Sequence, residues 1–295
     1  MQEHLLGPLA CLLCDAPVNK WLTATNGGVG PKETFDIFQC TNCFSTRINP
    51  VPVSLGIYYL GYHSIPKGSN WKRAVKACKN RLAVVTRYVG DYASILDVGA
   101  GSGVFVAAAS KTGHLTFAIE QDKSCRENIE AFMPGRVVED LFSYEKEGFA
   151  VPDVITLWHV FEHIPNPNDF LAQVSRIFPI TTKIIIEVPN AQSWMFKIMR
   201  SKWPHLDAPR HVFLPSKKGI ECVAQKNGMR ASRIQNHDNA SWAAFSLSHF
   251  GNRVGELRLI QICRRILQIL LAPFFFFENS YRSSTCTYLL VRDSK

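Results

Sequence analysis

Residues 94–105 of this 295-residue chain read Ser-Ile-Leu-Asp-Val-Gly-Ala-Gly-Ser-Gly-Val-Phe. A short apolar run ends at an aspartate, three glycines follow at alternate positions, and an alanine-rich segment over residues 106–110 is typical of a helix. The stretch predicts a β-strand, a tight glycine turn and a helix N-terminus. Glycine lets a ligand approach the main chain closely, and the first helical turn presents unpaired N–H groups to that ligand.

The following strand carries the second half of this signal. Residues 115–119 are mostly apolar and lead directly to Glu120 and Gln121. An acid about 20 residues after a glycine turn, at the end of the next strand, is placed to accept hydrogen bonds from ribose hydroxyls. The pair of elements therefore predicts a nucleoside-cofactor site. The NAD pattern G-x-G-x-x-G is not met, because Val104 stands where its third glycine belongs.

The glycine stretch resembles motif I of the class I S-adenosylmethionine (SAM) methyltransferases. The resemblance implies a Rossmann-like α/β fold: a seven-stranded sheet with helices on both faces, whose last strand inserts antiparallel. In that family the aspartate and glycines meet the methionine end of SAM, and the acid after the second strand holds the ribose. An acid after the third strand, here Asp140, would accept from the adenine amino group, with Leu141 beside the ring. A purely structural glycine turn and a dinucleotide site are the alternatives.

The cofactor-binding residues that this resemblance implies lie at four places along the chain. They are Asp97, Gly99, Ala100, Gly101, Gly103, Glu120, Gln121, Asp140, Leu141, Trp158 and His159.

Two C-x-x-C pairs lie near the start of the chain, at Cys11 and Cys14 and at Cys40 and Cys43. Each pair can place two thiolates on one ion, and two pairs complete a tetrahedral Cys₄ zinc site. With every ligand position filled by protein, the zinc would be structural. The glycine-rich stretch at 26–31 predicts a hairpin turn between the pairs. A redox pair and unrelated cysteines are the alternatives. A nucleic-acid-docking ribbon is disfavoured, because the segment contains few basic residues.

The fourth core strand, predicted over residues 153–157, runs into Trp-His-Val-Phe-Glu-His at 158–163. This segment resembles the "WHVLEH" run of a group of SAM methyltransferases that includes the ubiquinone-type O-methyltransferases. We expect a loop over the cofactor pocket. A neutral imidazole can take a proton from a methyl acceptor near neutral pH, so His163 and His159 are candidate bases. The alternative is that His163 and Glu162 tie the loop together while His159 packs beside SAM.

Candidate acceptor contacts come from two further segments. Tyr59 and Tyr62 resemble a tyrosine segment that lies over the SAM pocket in zinc-ribbon methyltransferases. The segment holding His205, Arg210 and His211 resembles a "HLDPPRH" run of the same subgroup. Arg210 can bind an anionic acceptor, or the loop can simply pin itself to the protein.

The predicted domain organisation has three parts: a zinc-ribbon module at 1–50, a linker and helix at 51–93, and a SAM-dependent methyltransferase domain at 94–295 with a helical insertion at about 235–280. Within 51–93, residues 70–81 predict a basic amphipathic helix that continues to Tyr88 and stops at Gly90; a solvated face is the ordinary explanation of its charges. Residues 256–277 predict an apolar, Arg-bearing helix, which would form a lid, a dimer patch or a peripheral membrane contact.

Charge and cofactor together indicate a function class. The net charge of +9 suits an anionic partner. No apolar run is long enough to span a bilayer, and a cytoplasmic protein, with peripheral contact at the inner membrane face as a variant, is expected. We expect a SAM-dependent methyltransferase with structural Zn²⁺. Its acceptor would be a small molecule, a nucleotide sugar or a lipid-linked glycan, and O-methylation in sugar or cell-surface polysaccharide biosynthesis is the first expectation. A catalytically idle scaffold and an RNA methyltransferase are the alternatives.

Overall fold

The computed structural model describes residues 9–26, 32–59, 65–237 and 283–293. The chain divides into two compact units. The first comprises Met1–Tyr58, Val188–Cys222 and Arg233–Thr287, and the second comprises Tyr59–Glu187, Val223–Ser232 and Tyr288–Lys295. Tyr62, the hairpin turn at 27–31 and the predicted helix at 256–277 lie outside the described residues.

The described residues contain two β-sheets. In chain order the strands are β1 Val18–Thr25, β2 Thr34–Cys40, β3 Thr46–Asn49, β4 Ser94–Val98, β5 Leu115–Ile119, β6 Val137–Val138, β7 Val154–Trp158, β8 Lys183–Pro189, β9 Phe213–Leu214, β10 Met229–His237 and β11 Thr285–Arg292.

The larger sheet has seven strands in the order β10-β11-β8-β7-β4-β5-β6. Strands β4, β5, β6, β7 and β8 pair in parallel, with Asp97 opposite Ala118 on one side and Thr156 on the other. Parallel pairing brings the carboxyl ends of these strands to one edge, where open α/β sheets bind ligands. Strand β11 lies between β8 and β10, at the inserted position that the resemblance implied. The predicted α/β fold with a seven-stranded sheet is confirmed.

Eight α-helices connect the described strands. They are α1 Gly68–Ala77, α2 Lys79–Val89, α3 Val104–Lys111, α4 Lys123–Phe132, α5 Leu141–Glu147, α6 Pro167–Ile177, α7 Trp194–Met199 and α8 Lys217–Lys226.

Two details differ from the sequence-based prediction. The helix expected from residue 70 to Tyr88 is two helices, because the N–H of Cys78 bonds to the carbonyl of Val75, three residues back, and ψ of Cys78 opens to −2°. The second helix ends, as predicted, before Gly90, whose φ is 82°. Trp158, expected in the loop over the cofactor, is instead the last residue of β7, paired with Glu187 of β8.

The smaller sheet lies in the first unit and has the order β1-β2-β3-β9. Strands β1 and β2 form the expected antiparallel hairpin, and β3 pairs antiparallel with β9, Arg47 opposite Phe213. The buried side chains beneath it include Trp203, which stacks on Phe196 with ring centroids 4.8 Å apart. A strand and aromatic residues from far along the chain thus complete the N-terminal sheet.

Within the described part of the chain, the helices fall short of the length and apolar character needed to cross a membrane.

Candidate cofactor site and Cys₄ site

The three glycines of the turn after β4 have different structural roles. All have positive φ, at 69° for Gly99, 55° for Gly101 and 81° for Gly103. A Cβ on Gly99 would lie 2.6 Å from a methyl of Val160, and one on Gly103 would lie 2.6 Å from Ile129. A Cβ on Gly101 would have no atom within 4 Å. The outer glycines therefore permit close packing, whereas the middle one leaves open space in front of the turn.

Glu120 holds the glycine turn through its carboxylate. One oxygen accepts from the N–H of Gly101 at 2.6 Å and the other from the N–H of Asp122 at 2.8 Å. The residue is buried, at 6% exposure. Each carboxylate oxygen has a second lone pair, so the group keeps acceptor capacity for a ligand hydroxyl. The predicted ribose-binding acid thus lies directly against the turn. Its neighbour Gln121 is exposed.

Asp97 is the last polar side chain of β4 before the turn. It is 2% exposed, and Oδ1 accepts from Oγ1 of Thr156 at 2.6 Å. Burial, only partly offset by this hydrogen bond, raises the pKa of Asp97 to about 7. A cationic group beside this carboxyl would favour its ionised form.

Asp140 and Leu141 follow the short strand β6. The carboxylate of Asp140 caps α5 by accepting from the N–H of Ser143 at 2.7 Å, and this bond lowers the pKa of Asp140. Leu141 is buried at the start of the same helix. One oxygen of Asp140 is thus committed to the helix cap.

His159 follows β7 and lies between two carboxylates, one in the next 3₁₀ turn and one in β8. Nδ1 lies 3.3 Å from Glu162 and Nε2 lies 3.3 Å from Glu187. Burial lowers the pKa of His159, but the bonds to both carboxylates outweigh it and raise the pKa to about 9. The backbone of His159 is left-handed, with φ at 59°. His159 is therefore an imidazolium at neutral pH.

Arg81 of α2 completes this charged cluster. Its guanidinium donates to Oε1 of Glu187 at 2.5 Å and lies over the ring of Trp158, 5.0 Å from the ring centre. Sequence reasoning missed both Arg81 and Glu187. An acid inside the run Ile-Ile-Ile-Glu-Val of the fifth core strand was the available signal for Glu187, since a buried charge requires a partner. Nothing local to Arg81 indicates its partner.

His163 lies in a 3₁₀ turn, Phe161–His163, of the same loop. Its Nδ1 is 2.8 Å from the hydroxyl of Tyr59. The structure thus brings together one candidate base and one candidate acceptor contact that are 104 positions apart in the sequence.

The first unit holds the other candidate acceptor residues. Arg210 donates two hydrogen bonds to the carboxylate of Asp207, at 2.6 and 3.0 Å. Nδ1 of His211 lies 2.7 Å from the carbonyl of His205, and both histidines are buried. These contacts shape the loop, and the guanidinium of Arg210 already has a carboxylate partner.

Cys11, Cys14, Cys40 and Cys43 converge in the first unit. Their sulfurs all lie within 4.8 Å of one another, at 3.6 Å for Cys11 to Cys43 and 3.4 Å for Cys14 to Cys40. The N–H of Cys43 donates to the sulfur of Cys40 at 3.4 Å. Four clustered thiol sulfurs are the donor set of a tetrahedral structural zinc site.

Two serines connect the Cys₄ cluster to α8. The hydroxyl of Ser45 lies 3.2 Å from the sulfur of Cys43 and accepts from the N–H of Ser216 at 3.0 Å. The hydroxyl of Ser216 donates to the carbonyl of Cys43 and accepts from the N–H of Gly219 at 2.9 Å. A Cβ on Gly219 would lie 2.1 Å from Oγ of Ser45. Neither serine was predicted, because they are 171 positions apart.

A family model described as a methyltransferase domain matches residues 70–232. This chain belongs to that methyltransferase family. No curated protein matches the chain. Among solved structures, a SAM-dependent methyltransferase from Archaeoglobus fulgidus is 16% identical with a TM-score of 0.50, covering 80% of this chain and 99% of the other. At this identity the likeness shows the fold, which is the class I SAM-dependent methyltransferase fold.

Other solved methyltransferases are similar at lower scores. The YcgJ protein of Bacillus subtilis is 14% identical, with a TM-score of 0.48 over 74% of this chain and all of that one. The magnesium protoporphyrin IX methyltransferase of Synechocystis PCC 6803, solved with bound SAH, is 9% identical, with a TM-score of 0.46 over 81% of this chain and 95% of that one.

Proposed function

We propose that this methyltransferase moves the methyl group of SAM to an oxygen of a small-molecule or glycan acceptor in sugar or cell-surface polysaccharide biosynthesis. The observation that carries the cofactor assignment is the glycine turn itself. Its middle glycine faces open space while Glu120 holds its backbone and Asp97 is buried beside it. The glycan acceptor rests on the resemblance to zinc-ribbon methyltransferases and on the net charge of +9.

The residues around the turn fit SAM in chemistry. When bound, SAM supplies an electrophilic methyl group on a sulfonium. The open face of Gly101 admits the ligand to the main chain, and Glu120 has acceptor capacity for ribose hydroxyls. The carboxyl of Asp97, whose pKa burial raises to about 7, would be ionised by the positive charge of the methionine portion. Binding would then release part of a proton, so its apparent enthalpy would depend on the buffer.

His163, rather than His159, suits the role of base in this proposal. A base must be neutral to take a proton, and the pKa of His159 near 9 keeps that ring protonated at neutral pH. His163 contacts the hydroxyl of Tyr59 at 2.8 Å, which would orient its ring. Alignment of the acceptor oxygen, methyl and sulfur would make the largest contribution to catalysis. His163 would take the hydroxyl proton of the acceptor. His159 would act by fixing the loop that holds His163.

Zinc at the Cys₄ cluster is the second part of the proposal. Four thiolates would fill all four positions of a tetrahedral ion, which leaves none open for chemistry. The metal would therefore stabilise the fold of the first unit. Metal analysis of the purified protein, with Cys40→Ala as the matched variant, tests this directly: about one zinc per chain is expected, and none in the variant.

The proposed function is tested by calorimetric titration with S-adenosylhomocysteine and with NADH as the control ligand. Asp97→Asn keeps the shape of the side chain but removes its charge, and we expect it to weaken binding at least about tenfold. Asp153→Asn is the matched control, because Asp153 precedes β7 at the opposite edge of the sheet and bonds to the N–H of Ser94. Absence of binding by the folded wild-type protein would refute the cofactor assignment.

The acceptor is tested next, by incubating the protein with labelled SAM and a panel of nucleotide sugars and lipid-linked glycans. Label in an alkali-stable ether product would support O-methylation. His163→Gln is expected to lower kcat at least about 100-fold while leaving S-adenosylhomocysteine binding unchanged. A His163→Gln variant with full kcat would remove His163 from the proposal without affecting the cofactor assignment.

A further inference from the structure

One stretch of the chain has an unbalanced charge. Residues 37–90 contain no aspartate or glutamate. Five cationic side chains cluster around α1 in this stretch, and all five are exposed. They are Lys67, Lys72, Arg73, Lys76 and Lys79, and together they are called the cationic segment below.

The cationic segment differs from several other charged surfaces of the protein. None of its five side chains forms an ion pair with any residue in the described parts of the chain. Several cations elsewhere have acidic partners within 4 Å: Lys20 pairs with Asp36, Lys123 with Glu127, Arg176 with Glu145, Lys217 with Glu221 and Arg230 with Asp293. Like charges without counter-charges along ten to fifteen residues repel one another. An anionic partner would lower this repulsion.

Helix α1 has two distinct sides. Trp71, Ala74, Val75 and Cys78 recur at the spacing of one helical face, and Trp71 packs against Phe132 with ring centroids 5.6 Å apart. The helix also packs against α3. Lys72 and Lys76, one turn apart, and Arg73 fall on the other side of the helix wheel. The apolar side is thus committed to the protein, and the cations form a surface about 15 Å long.

The nature of this surface favours a lipid headgroup layer over nucleic acid. Single-stranded nucleic acid sites interleave cations with aromatic rings on which bases stack, but the aromatic ring of α1 packs against Phe132. An anionic bilayer needs only charge density, and clusters of four to eight Lys or Arg residues on an amphipathic helix suffice for it. We propose that the cationic segment docks the protein on anionic phospholipid. The contact would place the enzyme at a surface that carries lipid-linked acceptors, but it does not depend on the acceptor being lipid-linked.

Vesicle sedimentation of the full chain tests this proposal. The lipids are equal parts phosphatidylglycerol and phosphatidylcholine, compared with phosphatidylcholine alone. Binding only to the anionic vesicles is expected. It should vanish between about 0.1 M and about 1 M salt, which shortens the Debye length from about 10 Å to about 3 Å. The triple variant Lys72→Glu, Lys76→Glu, Lys79→Glu should bind on the order of 100-fold more weakly.

A second triple variant, Lys32→Glu, Lys111→Glu, Lys146→Glu, is the matched control. It changes the net charge equally at exposed positions outside the cationic segment and should keep at least half of the wild-type binding. Circular dichroism and thermal melting check that both variants are folded. Equal loss in both variants would show attraction to net charge alone and overturn the proposal. Full binding by the first variant would also overturn it. If the first variant lost binding to single-stranded RNA but bound vesicles as the wild type does, the partner of the cationic segment would be nucleic acid and not a membrane.

Discussion

The glycine turn and the Cys₄ cluster are both assembled from short motifs, but the protein supports them differently. The glycine turn depends mostly on contacts to the next strand and its helix, such as the bond from the N–H of Gly101 to Glu120. The Cys₄ cluster depends on Ser216, which lies 173 positions beyond Cys43. A motif can thus predict the candidate ligands of a site without revealing which residues support them. The two sites should respond differently to the same kind of change.

The largest effect is expected from loss of the proposed metal ligands. Cys40→Ala should abolish zinc binding, and structural zinc contributes about 10 kcal/mol or more to folding in small metal sites. Because β9 pairs with β3, amide exchange should increase at Phe213 and Leu214 as well as near the cysteines. Binding of S-adenosylhomocysteine should persist. Cys222→Ala, which lies outside the cluster, is the control. Unchanged exchange at β9 would show that the two strands are not energetically coupled.

Ser216→Ala should have the next largest effect. It removes the bonds from its hydroxyl to the carbonyl of Cys43 and from the N–H of Gly219. Leaving a buried carbonyl and a helix N–H unpaired costs about 2 kcal/mol. Denaturant unfolding measures this loss of unfolding free energy. Ser175→Ala is the contrasting variant, because its buried hydroxyl has no hydrogen-bond partner in the described parts of the chain, so its removal should be neutral. Equal losses of stability in Ser216→Ala and Ser175→Ala would show that the hydrogen bonds of Ser216 do not stabilise the fold.

The charged cluster of the second unit should show itself in the pH dependence of stability. The pKa of His159 in the folded protein is about 9, above its ordinary value of 6.5. The folded state therefore binds the proton more tightly, so this stabilisation is complete below about pH 6.5 and is lost as pH rises through 9. Between pH 7 and pH 9 the expected loss is about 2 kcal/mol. His159→Gln should flatten the melting temperature over this range. A variant with the wild-type slope would place the titration elsewhere.

The smallest change in stability is expected from Gly101→Ala, a variant that tests ligand access to the glycine turn. Gly101→Ala adds a methyl group where there is open space and strains a left-handed residue by about 1 kcal/mol. Gly135→Ala is matched, since it also has positive φ and no neighbour within 4 Å. Both should lower stability alike, but only Gly101→Ala should weaken S-adenosylhomocysteine binding, about tenfold or more. Equal binding by both would mean that the ligand does not approach Gly101.

Much of the fold could be predicted from local patterns. The alternation of apolar strands and helices placed β4, β5 and β7 close to their observed bounds, because each pattern reflects the burial of a single element. The cysteine pairs likewise predicted their own convergence, now seen as sulfurs within 4.8 Å, because C-x-x-C spacing already brings two sulfurs together.

The sequence by itself determined where the glycine turn and the Cys₄ cluster form, since spacing along the backbone sets those geometries. Only the tertiary structure decided that β9 completes the N-terminal sheet, that Tyr59 meets His163, and that Glu187 binds both Arg81 and His159. These partners are separated by tens to hundreds of positions. Their pairing follows from burial, which forces charged and polar groups to find each other wherever the chain brings them close.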